Sequence, residues 1–265
     1  MMGITNSVSR YFGRFANYEF PRAIQKVINS IYVKIFDIDL NEFDSLQSYK
    51  SLNALFTRSL KVSRKFDTSE ECLISPCDCL ITQYAQVQEN RALQIKGMAY
   101  SVAALLGLKQ DLQEGYSYLN FYLSPKDYHH YHAPCDMEIL EVRYFAGKLL
   151  SVNQPSLKKN TDLFIQNERV VVVGRDKKGE MMYYVAVGAL NVGQMVLHFE
   201  PKIQTNKIAN QNIVYVYSNP ILISKGEELG LFKMGSTIVL FMKDIKITAL
   251  KENSVKFGDT IGIFV

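Results

Sequence analysis

The sequence predicts an α+β protein, with N-terminal helices followed by a β-rich, mainly antiparallel body. Apolar residues recur at three- and four-residue steps only early in the chain, over 17–37 and again over 43–60. From about residue 72 the pattern changes to short runs that alternate or are continuously apolar, separated by turn residues. Many short strands without intervening helices favour antiparallel pairing over βαβ units. The 265 residues divide on this reading into a helical region, 1–62, and a β-rich domain, 63–265.

In the first helix Phe20, Ile24, Val27, Ile28, Ile31 and Ile35 form the apolar stripe, and Pro21 suits the first turn. Arg22, Lys26 and Lys34 fall off that stripe, with Arg10 and Arg14 upstream. Such a basic amphipathic helix either packs its stripe on the core or lies on an anionic membrane surface. The second helix carries Leu46, Tyr49, Leu52, Leu55 and Phe56 on one face. Ser75-Pro76 is a turn, 80–87 a strand, and Ser101 to Gly107 a short helix with a serine cap and a glycine stop. Strands follow at 117–123, 137–144, 169–174, 181–189, 194–199, 212–217, 237–242 and 261–265, with turns at Asp176–Gly179 and Lys225–Glu227.

Composition narrows the classes. The chain is 48% hydrophobic and 21% charged with a net charge of +4, globular in balance and mildly basic. It lacks the dense Lys/Arg stripes of a nucleic-acid binder, so no nucleic-acid partner is expected. Cys72, Cys77, Cys79 and Cys135 form no disulfide framework for a chain of this size, and Cys77-x-Cys79 is not a zinc spacing. Residues 1–15 contain no secretory h-region, and Met181–Leu197 is too interrupted by glycines and amides for a membrane span.

Three of the four histidines, His129, His130 and His132, crowd into one aromatic segment, Asp127 to Pro134. Imidazole is the side chain whose ordinary pKa, about 6.5, suits proton transfer near neutrality. A zinc site would need a second ligand pair, which does not appear, so no metal is expected. Of the three rings, His130 is the candidate for a merely packed one. Asp78, in the turn Ser75–Cys79, supplies a carboxylate, and Gly235-Ser236 stands directly before the β-branched run Thr237–Phe241. Taken alone, Ser236 is turn punctuation. Together, Asp78, His132 and Ser236 supply an acid, a base and a nucleophile, and such sets are recognised by role and geometry. A serine hydrolase using these three residues remains open, although Ser236 lacks a G-x-S-x-G elbow. So does a non-catalytic lipid-binding β protein.

An ordered set of landmarks goes further. Asn53-Ala-Leu-Phe-Thr-Arg58, Ser75-Pro-Cys-Asp78, Ile95-Lys-Gly97 through Leu106-Gly107, and Asp127-Tyr-His-His-Tyr-His-Ala-Pro134 come first. Ser151-Val-Asn153, Asn167-Glu-Arg-Val170, Val187-Gly-Ala-Leu-Asn-Val-Gly193, and Lys225-Gly-Glu-Glu228 leading into Phe232-Lys-Met-Gly-Ser-Thr237 complete it. In these residues most of the chain resembles the phosphatidylserine decarboxylases, pyruvoyl-dependent enzymes made as self-cleaving precursors. It departs where Cys79 and Met137 stand in place of the family's glycines.

The resemblance implies that Ser236 attacks the carbonyl of Gly235, with His132 as base and Asp78 orienting it. Cleavage gives a β chain, 1–235, and an α chain, 236–265, headed by a covalent pyruvoyl group made from Ser236. That group forms a Schiff base with phosphatidylserine, so neither PLP nor a metal is implied. His129 contacts the substrate or handles the proton after loss of CO2. The implied setting is peripheral, on the cytoplasmic face of the cell membrane, in phospholipid biosynthesis. Region 1–62 would associate with the bilayer, 63–265 would be catalytic, and the β/α pair could itself form a homodimer.

Overall fold

The computed structural model describes residues 4–190, 194–203, 205, 211–233, 236–248 and 254–265. Helices α1 (Ile4–Asn17) and α2 (Arg22–Phe36) come first, then a single 3-10 turn, Leu46–Ser48, and α3 (Leu52–Phe56). The expected helix over 17–37 is thus shorter, with Pro21 at its N-cap and Asp37 in the left-handed region (φ 52°) closing it. The helix expected over 43–60 breaks in two, because Ser51 adopts extended backbone and its hydroxyl caps α3 by accepting from Ala54 N at 3.1 Å. Helix α1 was not anticipated; its Ala16 and Phe12 pack with Leu52 and Leu55 of α3, and Asn6 Nδ2 ties it to the body by donating to Gly147 O at 3.1 Å.

The body opens with β1 (Cys72–Ile74), β2 (Cys79–Gln86), β3 (Arg91–Ile95), β4 (Met98–Ser101) and the short α4 (Val102–Leu106). Ser101 and Gly107 cap α4 as the sequence predicts: the serine hydroxyl accepts from Ala104 N, and the glycine takes φ +70°. Strands β5 (Tyr116–Leu123), β6 (His130–His132) and β7 (Met137–Phe145) follow, then two short helices, α5 (Gln154–Lys159) and α6 (Leu163–Gln166). The chain ends with β8 (Arg169–Asp176), β9 (Met181–Val187), β10 (Gln194–Leu197), β11 (Ile213–Ile223), β12 (Glu228–Lys233), β13 (Ser236–Lys243), β14 (Ile245–Ile247), β15 (Ser254–Val255) and β16 (Thr260–Phe264). The architecture is α+β, with long helices at the N-terminus and antiparallel sheets beyond.

Eight strands form the main sheet in the order β11-β7-β8-β9-β13-β5-β2-β15, every neighbouring pair antiparallel. Its central strands β8, β9 and β13 read as near-continuous apolar runs because they are covered on both faces, so alternation gives way to uniform burial. Strands β10, β12 and β6 make a smaller sheet beside it. Gly230, in its middle strand, leaves room for the Tyr131 hydroxyl to donate to Val196 O at 2.7 Å; a Cβ there would collide with both groups. Cys79 and Met137, where the resemblance leads one to expect glycine, begin β2 and β7 without positive φ.

One topological feature positions everything that follows. The segments β5–β6 and β12–β13 cross together, antiparallel, from one sheet to the other. In the small sheet His130 faces Leu231, and in the large sheet Leu123 faces Ser236. The turn 124–127 therefore lies where β12 ends and β13 begins, at the crossing. Phe232 N donates to His129 O at 3.0 Å within it.

Candidate active site

The backbone of Ser236 heads β13, one register position from the turn that leads into the histidines. Gly235 lies outside the described residues, as does the landmark Asn191–Gly193. The turn itself is closed by Asp127, whose Oδ2 accepts from Ser124 N at 2.7 Å and Ser124 Oγ at 2.8 Å. Arg58, buried on the Phe43 ring, donates to the carbonyls of Lys126 and Asp127 and so ties α3 to the turn.

All three histidines of the segment are buried, each differently. His132 packs its ring on Phe257, centroids 3.7 Å apart at 12°. Its Nδ1 lies 2.9 Å from Gly226 O, a group that only accepts, so Nδ1 carries the proton and Nε2 the lone pair. The Tyr128 hydroxyl donates to that Nε2 at 3.2 Å. Burial lowers the His132 pKa to about 4, and the ring is neutral at neutrality.

His129 is wholly inaccessible, its ring 3.9 Å from that of Phe56. Its Nδ1 donates to Asp127 O at 2.8 Å, which leaves Nε2 a buried lone pair with no hydrogen-bond partner. Burial brings its pKa down to about 3. An unpartnered buried acceptor costs about 1–3 kcal/mol, so its retention beside the crossing is a feature to be explained. His130 is the packed ring: it lies between Glu228 Oε1 (2.7 Å) and Thr57 O (3.1 Å) and stacks on Tyr128. Glu228 also accepts from His198 at 2.7 Å. Burial opposes ionisation of Glu228, but the two imidazoles together hold its carboxyl down at about 2.

Asp78 is brought to the same neighbourhood but not into hydrogen bonding with His132 among the described contacts. Its two oxygens accept from the Arg64 guanidinium at 2.5 and 2.9 Å, and Oδ1 accepts from Phe257 N at 2.8 Å. It thereby fixes the residue whose ring supports His132, and its charge favours the imidazolium over a short distance. The tautomer of His132 is set by Gly226 O instead. Arg64 is held from its other side by Glu42, at 2.8 and 2.9 Å, and that pair lowers the Glu42 pKa to about 2. Arg64, Glu42 and Phe257 were not singled out from the sequence, and Tyr128 and Glu228 stood in the landmarks without a role; Phe257 meets Asp78 from 179 positions away, and no local signal marks it.

Among the described residues no group of three or more His, Cys, Asp or Glu is arranged to hold a metal ion, and the four cysteines are free and buried. No described helix is long and apolar enough to cross a membrane.

The phosphatidylserine decarboxylase family model matches residues 52–263, which takes in α3, the histidine segment and Ser236. The chain belongs to the phosphatidylserine decarboxylase family. Family membership makes it a decarboxylase, a carboxy-lyase, of the proenzyme type. It is similar to the phosphatidylserine decarboxylase proenzyme of Helicobacter pylori strain Shi470, 58% identical over 264 residues, covering 100% of this chain and 99% of that one. The proenzyme of Campylobacter jejuni is 46% identical over 98% of this chain and 99% of its own. The mitochondrial proenzyme of Rattus norvegicus is 31% identical over 97% of this chain and 72% of its own. The match to the Helicobacter pylori proenzyme also takes in the N-terminal helices that precede the family match.

Proposed function

We propose that this chain is the precursor of a pyruvoyl-dependent enzyme that converts phosphatidylserine to phosphatidylethanolamine and CO2, with Ser236 as the residue converted. The observation that carries the proposal is the joint crossing, which sets the Ser236 backbone against the turn that delivers two neutral, buried imidazoles. Ser236 Oγ attacks the Gly235 carbonyl, turning the peptide bond into an ester and freeing the amine of residue 236. The hydroxyl proton passes to His132 Nε2, which Gly226 O and the Phe257 ring hold in orientation. The Asp78 charge steadies the imidazolium that results. β-Elimination then releases 1–235 with a carboxylate end and leaves dehydroalanine at 236, which takes up water and loses ammonia to give the ketone.

That ketone supplies an electrophile for the substrate amine and a sink for the electron pair released with CO2, so PLP is not needed. His129 Nε2, buried and without a partner, supports a role for this ring in holding or delivering the proton that replaces CO2.

The N-terminal helices supply the route to lipid. On α2 the residues packed inward include Gln25 (4% exposed) and Asn29 (1%), while Ile24, Val27, Ile31 and Ile35 are 51–67% exposed. A helix that buries amides and turns aliphatics outward, beside exposed Tyr11, Phe15 and Tyr18, fits the surface of a bilayer. We place the enzyme peripherally on the cytoplasmic membrane, as the β/α chain pair.

Denaturing electrophoresis tests the core of this reading. Wild-type protein is expected as two pieces, the smaller without a free N-terminal amine by mass spectrometry. Ser236→Ala and His132→Ala are expected to remain intact. A wild type that persists as one chain after long incubation at neutral pH would sink the proposal.

A further inference from the structure

Between one flank of α1 and the end of β12 lies a cleft of about 470 Å³. Its lining includes Arg10, Arg14 and Lys233 with Asn17, Tyr18 and Gln194, and among the described residues no carboxylate. We propose that this cleft is the subsite for the phosphodiester of the substrate lipid, an inference that rests on the function proposed above.

Three placements argue for it. Lys233 is the last residue of β12, so its Cα lies within about 11 Å of Ser236 Cα by chain reach alone. Its ammonium is directed into the cleft, donating to Gln194 Oε1 at 3.1 Å. A phosphoserine headgroup separates its phosphate from its amine by only a few bonds, so a cation at this position meets the phosphate while the amine is at residue 236. The second placement is on α1, where Arg10, Arg14 and Asn17 follow at four- and three-residue steps and share one face. The exposed aromatics Tyr11, Phe15 and Tyr18 occupy the next face round the same segment. Cations and an aromatic belt side by side are what the headgroup level of a bilayer requires, with acyl chains against the rings and phosphate against the guanidinium groups. The third is chemical. A cation bound to the departing carboxylate would stabilise the ground state and oppose loss of CO2, whereas one bound to the phosphate is neutral toward that step and anchors the lipid. A cleft of cations set back from the reacting residue suits the second task.

The test uses cleaved, full-length protein and soluble short-chain ligands, so that attraction to a charged membrane plays no part. Calorimetry measures binding of dihexanoylphosphatidylmethanol, a phosphodiester without an amine, and of dihexanoylglycerol, which has no phosphate. The variant is Arg10→Gln/Arg14→Gln/Lys233→Gln, first confirmed to self-cleave as wild type does. We expect the variant to bind the phosphodiester at least tenfold more weakly and the diacylglycerol as wild type does. A second variant, Lys233→Arg, is expected to retain phosphodiester binding within about threefold. Equal phosphodiester affinity in wild type and triple variant overturns the assignment. So does an equal loss for both ligands, which marks a damaged lipid surface. Failure of the parent reading looks different: wild type would show neither self-cleavage nor CO2 release from phosphatidylserine, whatever it binds.

Discussion

At the scale of single residues, His132 is a base whose lone pair is already engaged. Tyr128 donates to Nε2 and, with burial, favours the neutral ring, whereas Gly226 O accepts from Nδ1–H and opposes them by favouring the imidazolium. Tyr128→Phe removes one of those influences, so the His132 pKa should rise from about 4 toward 6.5. Time courses of self-cleavage from pH 4 to 8 should show the acid limb displaced upward; a limb that stays in place would remove Tyr128 from the account. His129 makes a separate prediction about stability. Its folded pKa, about 3, lies below the ordinary value, so the unfolded chain takes up the proton first. The stability it contributes is complete above pH 6.5 and is lost progressively as pH falls toward 3. Urea unfolding at pH 7 and pH 5 should therefore show a drop smaller by about 2 kcal/mol in His129→Gln than in wild type. Residue types and landmarks singled out Ser236, His129, His132 and Asp78 in the sequence. The supports Arg64 and Phe257 were not, because only folding joins them to these residues, and Glu228 stood in a landmark with no partner readable for it.

At the scale of elements, α2 inverts the usual rule. Its periodic aliphatic stripe was legible, but periodicity alone leaves open whether such a stripe faces core or lipid. The deciding residues are Gln25 and Asn29, which spend their polar groups on Phe20 N, on each other and on Tyr49 O, so that the inward face carries these amides beside Ile28, Tyr32 and Val33 while Ile24, Val27, Ile31 and Ile35 face out. Ile24→Asp/Ile31→Asp should abolish sedimentation with anionic vesicles while altering unfolding free energy by no more than about 0.5 kcal/mol, as exposed sites do. A stability loss of several kcal/mol would instead mean that the stripe is buried. Strands β2, β5, β7, β8, β9, β10, β13 and β16 were legible to within a residue or two, whereas β1, β3, β4 and β12 were not anticipated. Strands β6, β14 and β15 are two or three residues long and exist only through their partners, so no periodicity could announce them. Strand β11 extends to Ile223, well past the expected end at 217, carried by its pairing with β7 despite Pro220, which an edge strand tolerates.

At the scale of the whole molecule, the α+β division was legible from the change in pattern near residue 72, while the joint crossing was not. It depends on which strands pair, and β6 with β12 and β5 with β13 are separated by about a hundred residues of chain. The position of β13 has a further bearing on the cleaved protein. Hydrogen-bonded to β9 on one side and β5 on the other, it is an inner strand of the eight, not an edge. Cutting before Ser236 therefore yields two polypeptides that behave as mutually completing fragments, neither of which has a closed core alone. Cleaved protein should melt in one transition, yet refold from urea at a rate that rises with protein concentration, where the uncut Ser236→Ala chain refolds independently of it. While the fold persists the fragments are kinetically captive: isotope-labelled and unlabelled cleaved molecules, mixed under native conditions, should keep their original partners until something unzips the sheet.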